Sequence, residues 1–420
     1  AGTVEALTSA LASEANIIAG LAKAITYSIA DTAANAAGAN STALNQAFNI
    51  VCTTAATVAQ ATIIDNATNS GTNTYNIVDT DANIAAAGDA LLETAGTVTV
   101  AGSSGSSETS ATVDEANTIA ALNQAVTYSI LDTATNIAGA NQAALNKAVN
   151  ITATTNATLA EAIVLHSATN SNNKVYSISD TVANIVTGIG SNNGAIATAT
   201  IVTATTYANK AQANTIGGDT KAIVFTIRDT ANNLHTTNSA ALNKAVNLIA
   251  TTDATITEAT TIDNATNIGT NTYSIKDTAA AISGSTDAFV TKAVLVKVSD
   301  TANVTQATTI SGFAKSVIYS VSDSAGNALA AAGAAYNEAV NITITGNLTV
   351  AKADVIKEAG NSGDKTYVIE DSAAAISGAV TGTTGATADV ETLNGATTVE
   401  ANTNANFTQA ATIAGIAKAI

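Results

Sequence analysis

The chain has no proline, no methionine and no tryptophan, and only one cysteine and two histidines in 420 residues. Ordinary usage near 5% would give roughly 20 prolines in such a length. Proline cannot donate to a strand ladder and is kept out of central strands, so its absence suits a chain that is paired along most of its length. A single cysteine rules out an internal disulfide. Cys52 follows Phe48 and Ile50 at a spacing of two, which predicts a small buried apolar residue on the inner face of a strand and not a reactive thiol. The scarcity of His and Cys leaves no zinc or haem ligand set and no nucleophile with a base, and no P-loop is present. No catalytic, cofactor-binding or metal-ligating residue is therefore expected, and the chain does not read as an enzyme. It contains no run of 18 apolar residues and no signal peptide, so no membrane span is expected in this segment.

Positive charge is also scarce: 15 Lys and Arg face 32 Asp and Glu, a net charge of −17. Phosphate binding needs clustered basic residues, so nucleic acid is not an expected partner. The acidic excess favours solubility and lateral repulsion. Only 11% of residues are charged, and the remaining polar surface is Thr, Ser and Asn, a composition that points to an extracellular setting.

What the chain has in abundance is repetition. An aromatic, a spacer, Ile or Val, a spacer, then Asp with Thr or Ser recurs eight times, with the carboxylates at Asp31, Asp79, Asp132, Asp180, Asp229, Asp277, Asp323 and Asp371. The gaps are 48, 53, 48, 49, 48, 46 and 48 residues. A fixed period of this kind marks a repeat architecture. The aromatics form two series, Tyr27, Tyr128, Phe225, Tyr319 and Tyr75, Tyr176, Tyr273, Tyr367, which share steps of 101, 97 and 94 residues. The organisation over 1–420 thus reads as one continuous array of about four units of 97 residues, each made of two halves of 48. The stretches Gly102 to Glu108 and Gly188 to Gly194 read as flexible surface insertions. Residues 3–25 and 398–420 match without a gap at an offset of 395. Both ends then fall in mid-repeat, as in an excerpt of a longer array or a subunit that joins its neighbours head to tail.

Within each half, Tyr27 and Ile29 and their equivalents alternate with small polar residues, the period of a strand with one face inward. The eight aromatics are expected to be core residues. The following Asp is expected to cap a helical turn by accepting its free amides. A second strand, Phe48-Asn49-Ile50 in the first unit, comes 21 residues after the first-series aromatic, so the chain returns to a strand about every 24 residues. Between strands, apolar residues recur at every third position, as in Val113, Ala116, Ile119, Leu122 and in Leu159, Ala162, Leu165, Ala168. That spacing is compatible with α-helix or 3₁₀-helix. The expected fold is α/β: a right-handed solenoid with a parallel β-sheet and short helical segments, whose exposed ends invite further copies.

The stretches DTAAN at Asp31, DTATN at Asp132, DTVAN at Asp180 and DTANN at Asp229 resemble a repeat of very large secreted bacterial surface proteins. The resemblance implies an extracellular or cell-surface protein of adhesin, surface-layer or fibre type. Asp277 and Asp371 depart from it, with Ala281 and Ala375 in place of the Asn. A ladder of calcium ions on the repeated Asp is an alternative to capping, with Asp79 and Asp81 its best local candidate. Calcium wants six to eight oxygens, and one Asp in every second coil supplies few. The expected function is that of a structural protein, with copies of itself as partners. An adhesin stalk that presents its insertions to a glycan or a host protein, and an ice-binding surface built on Thr-x-Thr runs, are the alternatives.

Overall fold

The structure, a computed structural model, describes residues 4–101, 110–191, 193–329, 333–382 and 390–416. The chain is α/β, built from short parallel strands and short helices. Two compact units divide it, one of Ala1–Thr206 with Asp219–Val224, the other of Tyr207–Gly218 with Phe225–Ile420. The Gly102 to Glu108 stretch lies outside the described residues.

In the first unit the strands lie in small parallel sheets. Ile29–Asp31, Ile50–Cys52 and Asn73–Thr74 form one, and Ile77–Asp79, Val98–Val100 and Val126–Thr127 form the next. In register, Ile29 faces Ile50 and Ile50 faces Asn73. Single bridges continue the pairing, Ala10 to Ile29, Ala56 to Ile77, Ala111 to Ile130 and Ala157 to Ile178. Each Ile that precedes the repeated Asp is therefore held between an Ala of the preceding coil and a strand of the following one. The second unit repeats the plan with Ile227–Asp229, Leu248–Ala250 and Asn271–Thr272, and with bridges from Ala208, Ala254 and Ala302. Its sheet of Val321–Ser324, Ile342–Leu348, Lys365–Asp371 and Val399–Ala401 has four strands and a register shift between Thr343 and Asn347.

The apolar triplet pattern forms α-helix: Val113–Ala120, Leu159–Ser167, Ile256–Asp263 and Val304–Ser311. The last turn then tightens, with Ala121 N–H donating to Thr118 O and Leu122 N–H to Ile119 O, three residues back. This explains why the stripe runs to a fourth apolar residue although an α-helix alone would have turned it away. Two sequence expectations need correction. Residues 188–191 belong to the helix Val182–Ser191 and 193–194 to the helix Asn193–Thr198, so the glycine-rich stretch at 188–194 is not a loop insertion where it is described. Its glycines serve close packing: a Cβ on Gly188 would lie 2.6 Å from Leu159 Cδ2, and one on Gly194 2.7 Å from His166 Nε2. Phe48 stands before the strand and is 49% exposed, because the strand begins at Ile50. Cys52 is half-buried and not fully enclosed. Burial, and the Asp31 charge after it, push its thiol pKa up.

All eight aromatics of the repeated slot are at most 2% exposed. The two series differ in where the hydroxyl goes. Tyr27, Tyr128 and Tyr319 each donate to a main-chain carbonyl 16 residues ahead, of Ala43, Ala144 and Ala335, at 2.8 Å. The equivalent acceptor for Phe225 is Ala241 O, which already takes the Ala245 N–H, so loss of the hydroxyl leaves no orphan. In the second series the hydroxyl meets side chains: Asp65 and Thr94 at Tyr75, Thr198 at Tyr176, and Asp263 at Tyr273. At Tyr367 it donates to Thr392 O. Desolvation pushes the Tyr128 hydroxyl up to about 12, so it remains a donor across the ordinary pH range.

Candidate functional site

Among the described residues, the open grooves beside the repeated Asp each hold at most two titratable side chains. The chemistry instead lies in polar side chains that join one coil to the next. Helix starts create the demand, because the first amides of every helix lack an internal acceptor. The residue at the N-cap is the Thr or Ser that follows the repeated Asp: Thr32, Thr80, Thr133, Thr230, Thr278 and Ser372 each accept from the amide three residues on. Asp sits one residue earlier and divides its two oxygens. Oδ1 accepts the N–H of the next residue, and in six copies the side-chain amide of the Asn four residues on, at Asn35, Asn83, Asn136, Asn184, Asn233 and Asn327. Oδ2 reaches back to the preceding coil and accepts the first amide of its helix.

That second bond is present in every copy. Asp31 takes Ala12 N–H, Asp79 Val58, Asp132 Val113, Asp180 Leu159, Asp229 Lys210, Asp277 Ile256, Asp323 Val304 and Asp371 Val350. The repeated Asp therefore serves a helix start 19 or 21 residues upstream as well as its own turn. The helix that follows the Asp is served in the same way from the next coil. Ala33, Ala134, Val182 and Ala231 donate to Thr54, Thr155, Thr206 and Thr252, Ala279 to Asp300, and Ala373 to Thr403. Several of the helix starts served by the repeated Asp also carry capping boxes, among them Thr57 with Gln60, Thr112 with Glu115 and Thr158 with Glu161.

Asparagine supplies links in the opposite sense. Asn45, Asn146, Asn243 and Asn337 accept through Oδ1 from the amides of Thr68, Thr169, Thr266 and Gly360, 23 residues on, at 2.7 to 2.9 Å. Asn49, Asn150, Asn247 and Asn341 do the same for Thr72, Asn173, Thr270 and Asp364. A third row, Asn16, Asn117 and Asn214, accepts from Asn40, Asn141 and Asn238. These rows were open to sequence reading, since 45, 146, 243 and 337 repeat the 101, 97 and 94 steps of the aromatics. Lysine closes helix ends: Lys147 donates to Ala120 O and Lys244 to Gly217 O.

These hydrogen bonds set the charge state. At Asp31 the Asn35 amide, then the Ala12 and Thr32 N–H groups, hold the carboxyl below its ordinary range. At Asp180 burial pushes upward, but the Leu159, Asn184 and Thr181 donors outweigh it. Asp79, Asp132, Asp229 and Asp323 are lowered in the same way. A carboxyl whose folded pKa lies below the unfolded value of about 3.9 adds stability above that value and loses it as pH falls through the folded pKa. The melting temperature is therefore expected to hold from neutral pH to about pH 4 and to fall steadily below it; a flat profile down to pH 2 would contradict the bonds described.

Asp79 is engaged as above, while burial and a hydrogen bond with Glu115 push the Asp81 carboxyl up. Among the described residues, no group of three or more His, Cys, Asp or Glu side chains is placed to hold a metal ion. His166 Nδ1 lies 3.1 Å from Thr198 Oγ1, and His235 Nδ1 lies 2.7 Å from Thr261 Oγ1. Open grooves recur beside the Asp. One of about 440 Å³ runs along Thr158, Leu159, Asp180 and Asn184, and its counterparts lie at Asp132 with Asn136 and at Asp229 with Asn233. No described helix is long and apolar enough to cross a membrane. No protein-family model matches the chain, and no curated protein matches its sequence.

Proposed function

We propose that this chain is a structural protein, a segment or subunit of an extracellular fibre or surface layer, whose coils form one right-handed solenoid and whose ends accept further coils. One observation carries the reading. The eight helix starts served by the repeated Asp each take that acceptor from the following coil, so a coil is completed only by its neighbour. A second copy stacked in the same register would extend this completion from one molecule to the next. An open contact of this sort propagates instead of closing. The reading assigns the chain no catalysis, no cofactor and no nucleic-acid partner; the side chains described hold coils together, and the net charge of −17 opposes polyanions.

Sedimentation of the isolated chain over a wide concentration range tests this. Growing species are expected. A monomer at every concentration would overturn self-assembly. It would favour the second reading, an adhesin stalk or binding module, for which the recurring amide- and hydroxyl-lined grooves are the supporting observation.

A further inference from the structure

The residue before each repeated Asp, and its in-register partner on the next strand, lie on the outer face of the strands. In the first unit these positions are uncharged, from Ala30 with Val51 to Ser179 with Thr203. In the second unit Arg228 sits over the Tyr207 ring, 5.4 Å from its centre, and the remaining charges fall in two blocks. Lys276 stands opposite Lys297, and Glu370 opposite Glu400. Between the blocks Ser322 stands opposite Thr343. The residues that precede these six, Ile275, Val296, Val321, Ile342, Ile369 and Val399, are buried, so the six face away from the core. Like charges directly opposite on strands about 4.8 Å apart repel. Among the described residues no ion pair relieves either block, and the one side-chain hydrogen bond to these four charges is from the Asn347 amide to Glu370.

We propose that this face of the second unit binds the same face of a second copy, turned end for end about a two-fold axis. In strand order the six residues run Lys276, Lys297, Ser322, Thr343, Glu370, Glu400: two bases, two hydroxyls, two acids. The order is its own complement when reversed. Lys276 then meets Glu400 of the second copy, Lys297 meets Glu370, and Ser322 meets Thr343. Such a contact is isologous, because each copy supplies both halves of it. Two copies laid in the same direction would set lysine on lysine and glutamate on glutamate. Ile318, bridged to Lys297 and 43% exposed, adds apolar area to the middle. A net charge of −17 opposes approach of a second copy in general, and opposed blocks of this kind invert that repulsion locally and fix the register. The contact is lateral, and it stands whether or not copies also join at their ends.

The experiment is carbodiimide crosslinking of an equal mixture of isotope-labelled and unlabelled chain at low salt, which joins a lysine to a carboxylate only where the two touch. Crosslinked peptides of mixed isotope are expected between Lys276 and Glu400 and between Lys297 and Glu370. Both should be lost in about 1 M salt, where charges are screened beyond about 3 Å. The variant Lys276→Glu, Lys297→Glu and the variant Glu370→Lys, Glu400→Lys should each give no crosslink through this face alone, the second although it is less acidic than the wild type. Mixed together they should crosslink chain to chain. Wild-type chains without mixed-isotope crosslinks at these pairs, crosslinks from Lys276 and Lys297 to other carboxylates of the second copy, or a mixture of the variants that stays uncrosslinked would each overturn the contact. Growing species without these crosslinks would overturn it and leave end-to-end assembly standing. Crosslinks in a species that stops at two chains would support it and count against open-ended growth.

Discussion

Replacing Tyr176 by alanine is expected to cost about 3–5 kcal/mol, the range for removing a fully buried aromatic side chain. The ring is 1% exposed, and its hydroxyl donates to Ala195 O at 2.9 Å and lies 2.7 Å from Thr198 Oγ1. The cost has two parts that a second variant separates. Tyr176→Phe keeps the ring and removes the hydroxyl, for about 1 kcal/mol. The chain carries out that replacement itself at Phe225, where the equivalent carbonyl has another donor. Urea unfolding of the two variants should therefore show a gap of at least about 2 kcal/mol between them. If alanine and phenylalanine cost the same, the ring does not carry the core.

Asp180→Ala is expected to cost about 2–4 kcal/mol, although the side chain lies at the end of a strand and contributes little apolar area. Three donors lose their acceptor: Leu159 N–H at 2.8 Å, Thr181 N–H at 2.7 Å and the Asn184 amide at 2.8 Å. Leu159 N–H is the costly one, since it opens a buried helix start and has no other partner within its own helix. Asp180→Asn retains one acceptor and places a donor against another, so it should fall between wild type and alanine. Asp277 offers an internal control. With Ala281 in place of the Asn, it has one donor fewer, and Asp277→Ala should cost less than Asp180→Ala by about 1 kcal/mol. Hydrogen exchange at Leu159 gives the local readout. Protection there should collapse in Asp180→Ala, and a variant that keeps it would show that the carboxylate is not its acceptor.

The period, the aromatic slot and the return to a strand were legible in the sequence because each is a local pattern repeated eight times or more. Tyr27 and Ile29 alternate whether or not the neighbouring coil is known. The partner of each Asp was not legible. Read locally, Asp31 precedes a helical turn and looks like its cap; in space Thr32 holds that position, and one Asp31 oxygen crosses to Ala12. Such a bond depends on how coils lie beside one another, which a pattern within one coil does not encode. The asparagine rows could have been found from their shared steps, but Asn45 and Asn49 read equally well as solvated surface in a chain so rich in that residue. The stretch at 188–194 misled through composition: glycine there relieves contact with Leu159 and His166 and does not loosen the backbone. Phe48 misled through alternation, which holds only where the strand has begun.

The central proposal is that each coil is completed by its neighbour through the repeated Asp. Cryo-electron microscopy of the isolated chain tests it most directly. Within each compact unit the expected result is parallel strands spaced about 4.8 Å apart, with each Asp carboxylate beside the first amide of the helix in the preceding coil, as at Asp180 and Leu159. Carboxylates turned away from those amides, with the helix starts open to water, would contradict it.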